Sequence, residues 1–180
     1  MSGIQDYKDK VVLVTGASSG IGLCAALEFA RLGATLVLAA RSLEKLDELK
    51  KRIEQDGGRA AVVPVDLSVP GEAEQMIEKA LEAFSHIDIL VNNAGVGHSV
   101  PVIDLDLESA RETFEINFWS LVAATQTLLP HLLARNTGQI INVSSIAGKR
   151  AFPGSSIYNA SKFAVEAFSE SLRVELYQTH

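Results

Sequence analysis

Five short apolar runs, separated by longer amphipathic ones, constrain this chain more than any other feature. The runs at residues 11–14, 35–38, 60–63, 87–91 and 140–143 are apolar without interruption or nearly so. A strand wetted on one side alternates in polarity, whereas a strand covered on both faces does not. Between the runs lie helical patterns. Leu43, Leu46, Leu49 and Ile53 recur at helical spacing among charged neighbours, and comparable stretches fill residues 20–32, 72–84, 107–134 and 156–177. Strand and helix in alternation imply an α/β fold: a doubly wound parallel sheet, right-handed crossovers and helices on both faces. Ser42 and Ser68 are expected N-caps, and Gly33 and Gly57 expected C-terminal stops. Pro130 is expected to kink or split the fourth helical stretch.

Composition narrows the function classes. The net charge of −6 disfavours a nucleic-acid partner, which wants a basic face. One cysteine, Cys24, rules out an intramolecular disulfide and a paired-cysteine metal or redox motif. Cys24 sits in an apolar helical stretch and is expected in the core. His86, His98, His131 and His180 show no ligand spacing, so no metal is expected. Residues 1–10 are polar and do not read as a secretory leader. The longest apolar run is far short of the ~20 residues of a membrane span. A cytoplasmic protein without membrane contact is the expectation. The 180 residues suit one domain, 1–180, with neither repeat nor linker.

The first apolar run leads directly into Thr15-Gly16-Ala17-Ser18-Ser19-Gly20-Ile21-Gly22, and a helix follows. Gly16 permits a tight turn, Gly20 lets a ligand approach the backbone, and Gly22 lets helix pack on strand. The helix start offers free N–H groups and a positive dipole end to phosphate oxygens. An ordinary glycine-rich turn is the plain alternative. The second run ends at Ala40-Arg41-Ser42, with no acid to hold a ribose 2′-hydroxyl. A guanidinium there suits a 2′-phosphate, to which Ser42 could add a hydroxyl. NADP(H) is therefore expected over NAD(H). Asp66-Leu67 and Asn92-Asn93-Ala94-Gly95 close the third and fourth runs, at the strand ends where α/β ligands bind. Asp66 could equally cap its own loop.

Tyr158 and Lys162 are four apart in a helical stretch, hence on one face. An ammonium beside a phenol favours phenolate, and a phenol so tuned can protonate a ketone oxygen or deprotonate an alcohol. Asn142-Val143-Ser144-Ser145 ends the fifth run, and Asn117 lies within the fourth helical stretch. Asn117 fits a helix break that needs satisfying, which by itself is a structural role. No GxSxG elbow is present, so hydrolase chemistry is disfavoured.

Taken in order, TGxxxGIG, Asp66, NNAG, Asn117, Ser145 and YxxxK resemble the short-chain dehydrogenase/reductase family across nearly the whole chain. The resemblance implies a Rossmann-type sheet and reversible hydride transfer between NADP(H) and a small carbonyl or alcohol substrate. It implies catalysis by Asn117, Ser145, Tyr158 and Lys162, with Ser144 as the alternative to Ser145. Tyr158 would be the general acid/base, Lys162 would also hold the nicotinamide ribose, and Asn117 would support a proton-relaying water. It implies cofactor contacts from Gly16, Ser18, Ser19, Gly20, Ile21, Gly22, Arg41, Ser42, Asp66, Leu67, Asn93, Ala94, Gly95, Tyr158 and Lys162. Val96, Gly97, His98, Phe152 and Pro153 would line or flank the substrate pocket. A homodimer or homotetramer is implied, with Ala123, Ala124, Phe163, Ala167 and Phe168 suiting the interface. Family members continue with another strand and a substrate lid, so the chain is expected to be incomplete, with its fifth strand an exposed edge. A non-catalytic nucleotide-binding module is the alternative reading, and an epimerase or dehydratase a third.

Overall fold

The computed structural model describes residues 7–177. The reading of residues 1–10 falls partly outside that range, and His180 wholly. The elements are β1 (Val11–Thr15), α1 (Gly20–Arg31), β2 (Thr35–Ala40), α2 (Leu43–Gln55), β3 (Arg59–Pro64), α3 (Glu72–Phe84) and β4 (Ile89–Asn92). There follow α4 (Leu107–Phe114), α5 (Ser120–Arg135), β5 (Gln139–Asn142) and α6 (Ser156–Leu176). A π-helical turn, Glu115–Trp119, joins α4 to α5, and a 3-10 turn, Ile146–Gly148, lies between β5 and α6.

The five strands form a parallel sheet in the order β3-β2-β1-β4-β5. This is the doubly wound α/β arrangement expected from the uninterrupted apolar runs. Successive residues of β1 enter opposite cores: Val11 and Leu13 pack toward α3 and α5, Val12 and Val14 toward α1 and α2. Both faces are covered, which is why the runs carry no polar alternation. The winding reverses between β1 and β4, creating a crevice beyond their C-terminal ends.

Gly33 and Gly57 follow the ends of α1 and α2 with φ of +92° and +84°, a conformation that costs glycine nothing. Ser42 occupies the N-cap position of α2 without a side-chain capping bond. Ser68 is not a cap. Its hydroxyl donates to Asp66, and α3 starts later, behind the left-handed Gly71. Pro130 neither splits α5 nor ends it. The carbonyl it would leave unpaired, on Gln126, belongs to an exposed residue that water can reach. Cys24 is exposed rather than in the core. Gly22 and Ala26 are the inward residues of α1, and Cys24 lies about 200° around the helix from each.

Among the described residues β5 is an edge strand. Leu129, Leu132, Ile140, Leu172 and Leu176 line a groove of about 720 Å³ beside it. No helix among the described residues is long and apolar enough to cross a membrane.

Candidate functional site

The glycine turn and the Asn-Asn-Ala-Gly segment meet at the β1–β4 crevice, and Thr15 joins them. Its Oγ1 donates to the Val91 carbonyl (3.3 Å) and accepts from the N–H groups of Asn93 and Ala94, each at 2.9 Å. Asn93 Nδ2 donates to the Thr15 carbonyl at 2.9 Å. The turn is packed so closely that a Cβ on Gly22 would strike the Gly16 carbonyl and lie 2.5 Å from Asn93 Nδ2. Gly16 and Gly20 have φ of +66° and +55°. Ser19 is the N-cap of α1, yet its side chain makes no capping bond. Ser19, Gly20 and Ile21 are exposed and Ser18 is half-buried. The first-turn N–H groups of α1 therefore open onto the crevice, a cradle that fits the pyrophosphate of a dinucleotide.

Arg41, exposed at the end of β2, is near enough to Asp66 to favour its carboxylate. The stronger influences on Asp66 are the backbone N–H and hydroxyl of Ser68, which hold its carboxyl below the usual range. Both bind Asp66 Oδ1, at 3.0 and 2.8 Å, so Asp66 does cap its own loop. Leu67 is buried, and its side chain belongs to the core rather than the crevice.

The second half of the site forms where α6 crosses the ends of β4 and β5. Lys162 is 4 % exposed, and its Nζ donates to the Val143 carbonyl at 2.9 Å. The same Nζ lies 5.9 Å from the centre of the Tyr158 ring. Burial pulls the Lys162 ammonium below the ordinary lysine range. Tyr158 itself is half-buried, with its ring against Gly97, where a Cβ would be 3.1 Å from Cδ2.

Asn117 sits in the π-helical turn. Its Oδ1 accepts from the Val96 N–H, while its Nδ2 donates to the Val96 carbonyl (both 2.8 Å) and to Ser161 Oγ (3.0 Å). Its amide thus satisfies both backbone groups of Val96, in the segment beyond β4, and ties that segment to α6. A Cβ on Gly95 would lie 3.3 Å from Asn117 Oδ1 and 3.4 Å from Lys162 Nζ, so these three residues share one small space. Ser144 and Ser145 diverge. Ser144 Oγ faces α6, where the Lys162 carbonyl is 3.5 Å away and Glu166 is also a partner. Ser145 opens the 3-10 turn and accepts from the Ala147 N–H at 3.1 Å.

Sequence reasoning passed over Thr15, Asn142 and Ser161 as connectors. A threonine just before the glycine turn and a serine just before Lys162 were the available signals. A cavity of about 320 Å³ adjoins Tyr158. Of the five pocket residues expected, His98 lines it and Gly97 backs the Tyr158 ring, whereas Val96, Phe152 and Pro153 do not line it. Of the expected interface residues, Ala124 is buried in the core.

The family model for short chain dehydrogenases matches residues 10–180. A fatty acyl-CoA reductase of Acinetobacter baylyi is 40 % identical over 174 residues, 96 % of this chain and 59 % of that protein. The human dehydrogenase/reductase SDR family member 7 is 40 % identical over 175 residues, 95 % of this chain and 52 % of that protein. The chain thus spans between half and six-tenths of these relatives. Among solved structures, a metagenomic short-chain oxidoreductase in complex with NADP superposes with a TM-score of 0.93 at 34 % identity, covering 97 % of this chain and 80 % of that one. A Burkholderia phymatum short-chain dehydrogenase/reductase in complex with NAD gives 0.93 at 31 % identity, covering 98 % and 63 %. With sequence, sheet order and glycine turn in agreement, this chain belongs to the short-chain dehydrogenase family.

Proposed function

We propose that this chain carries the cofactor-binding and catalytic residues of an NADP(H)-dependent oxidoreductase that interconverts small carbonyl and alcohol compounds. The observation that supports it best is the buried Lys162 ammonium, held on the Val143 carbonyl and directed across the Tyr158 ring, with Asn117 beside it. A bound nicotinamide dinucleotide supplies or accepts the hydride. In the reducing direction the Tyr158 phenol gives its proton to the carbonyl oxygen as the carbon is reduced. In the oxidising direction the phenolate takes the alcohol proton. Lys162 stabilises the phenolate electrostatically, and its desolvated ammonium passes a proton on more readily than a solvated one would. Ser145 orients the substrate oxygen. Its alternative, Ser144, is already directed at α6. Asn117 holds the loop after β4 and the Ser161 turn of α6 in register, and lies near enough to Lys162 to share a relaying water.

The pyrophosphate is assigned to Ser18, Ser19, Gly20, Ile21 and Gly22 at the start of α1. Arg41 and Ser42 are assigned to the 2′-phosphate, Asp66 to the adenine and Asn93, Ala94 and Gly95 to the crevice floor. The backbone of Leu67 is its only means of contact. NADP is bound by one solved relative and NAD by another. The preference for NADP(H) rests on Arg41 and on the absence of an acid at the end of β2.

The test is NADPH oxidation with a panel of carbonyl compounds, run beside Tyr158→Phe and Arg41→Asp. Tyr158→Phe is expected to lower kcat at least a hundredfold with cofactor affinity retained. Arg41→Asp is expected to weaken NADPH at least tenfold more than NADH. Cofactor binding without turnover in the unaltered protein would favour a nucleotide-binding module instead. Failure to bind either cofactor would overturn the reading of the glycine turn.

A further inference from the structure

The cavity against Tyr158 is not lined by Ser145, so it would receive the part of a substrate beyond the reacting carbonyl, a placement that rests on the assignment of Tyr158 above. Its volume of about 320 Å³ suits a small molecule. The segment after β4 contributes His98, the approach to α4 contributes Asp104 and Asp106, the first turn of α4 contributes Ser109, and the start of α6 contributes Ser156 and Tyr158. Two of these walls are fastened together, since the Val100 N–H donates to the Gly154 carbonyl at 2.6 Å.

The charge of the lining is one-sided. Among the described residues two carboxylates line the cavity and neither lysine nor arginine does. Asp106 is the N-cap of α4, and its Oδ2 accepts from the backbone N–H and the hydroxyl of Ser109, both at 2.8 Å. Those two bonds hold its carboxyl below the usual range, so it is ionised at neutral pH. Arg111 is close enough to assist slightly but does not line the cavity. A negative group on a substrate would enter against both carboxylates. A hydroxyl or ammonium would find acceptors.

We propose that Asp104 and Asp106 determine specificity, selecting a short carbonyl or alcohol substrate that bears hydrogen-bond donors and no negative charge. Carboxylated or phosphorylated compounds of the same size are rejected.

Three matched probes test this: hydroxyacetone, aminoacetone and pyruvate, which differ in one substituent on the same ketone. In NADPH-dependent turnover, hydroxyacetone or aminoacetone is expected to exceed pyruvate at least about threefold in kcat/KM, the scale of a nearby like charge screened by water, since Asp104 and Asp106 are both exposed. In the double variant Asp104→Asn, Asp106→Asn that ratio is expected to fall at least about twofold. Asparagine caps a helix about as well as aspartate, so the start of α4 is retained. A larger fall for aminoacetone than for hydroxyacetone identifies an ammonium as the preferred donor, and an equal fall shows that the carboxylates act by repelling the negative charge. Preference for pyruvate, or a ratio unchanged in the variant, overturns the proposal. The same probes are titrated into the cofactor-free protein at millimolar concentration and followed by NMR. Pyruvate binding as tightly as the other two overturns the proposal, as does the absence of binding by all three. Absence of turnover with selective binding counts against the assignment of Tyr158 and not against the selectivity.

Discussion

Asp88 concentrates the electrostatics of the end of the sheet opposite the candidate site. It is 3 % exposed, its Oδ2 accepts from the Val11 N–H at 2.9 Å, and Arg135 and Lys10 approach its Oδ1 at 3.0 and 3.7 Å. His86 Nε2 lies 3.4 Å from Oδ2. Burial pushes the carboxyl up, but the Val11 N–H, Arg135 and Lys10 together outweigh it and hold it below the ordinary range. A folded value below the unfolded one, about 3.9, stabilises the fold fully above about pH 5 and loses that contribution as pH falls through the folded value. Asp88→Asn keeps an oxygen for the Val11 N–H but makes it a neutral acceptor, and is therefore expected to cost about 1–2 kcal/mol at pH 7, with a smaller share from Lys10 and Arg135, which are partly exposed and screened. Urea denaturation of both proteins from pH 7 to pH 3 should show the gap closing on the acid side. None of this was legible in the sequence. Asp88 read as part of an apolar run, and its partners Val11 and Arg135 are 77 and 47 residues away.

At the scale of elements, α6 is held on β5 by two side chains on one of its faces. Lys162 reaches the Val143 carbonyl, and two turns later Ser169 Oγ accepts from Asn142 Nδ2 at 2.9 Å. Asn142 in turn accepts from Asn92 Nδ2 at 2.9 Å, so β4, β5 and α6 share one polar chain. Ser169→Ala removes one partner of the Asn142 amide, but both residues line the groove beside β5 where water can enter, so the expected cost is about 0.5–1.5 kcal/mol in urea denaturation. Ser169→Thr, which keeps a hydroxyl, should recover much of it. The residues that make each strand and helix were readable from periodicity, and most boundaries lie within two residues of the reading. Of the two places in the fourth helical stretch that suggest a break, only one carries it. Pro130 stays within α5, because water can satisfy the carbonyl exposed there. The π-helical turn forms at Asn117, as its polarity in an apolar stretch suggests, and its amide finds the backbone of Val96. That partner comes from a different strand's loop, beyond the reach of any local pattern.

At the scale of the molecule, α5 and α6 and the turn before them leave apolar side chains uncovered. Phe163 and Trp119 are 44 % and 53 % exposed, and Phe118 stacks edge-on against both Trp119 and Phe168. The homodimer or homotetramer that the family resemblance implies would cover this face with a second copy. Sedimentation velocity is expected to show self-association, lost in Phe163→Asp while the secondary structure is kept. A monomer at micromolar concentration would overturn this. The buried Ala124 has no part in it.

The order of elements, the two-sided burial of the sheet, the glycine turn and the Tyr158–Lys162 pair were determined by the sequence alone. Each depends on residues within a few positions of one another, where strand and helix periods and steric limits on φ act directly. Only the tertiary structure decided that Cys24 faces outward, that Leu67 faces the core, that Thr15 clasps Asn93 and Ala94, and that two carboxylates share a cavity with Tyr158. These depend on which segments the winding of the sheet brings together, and hydrogen bonds and charges act only at the short distances that winding creates.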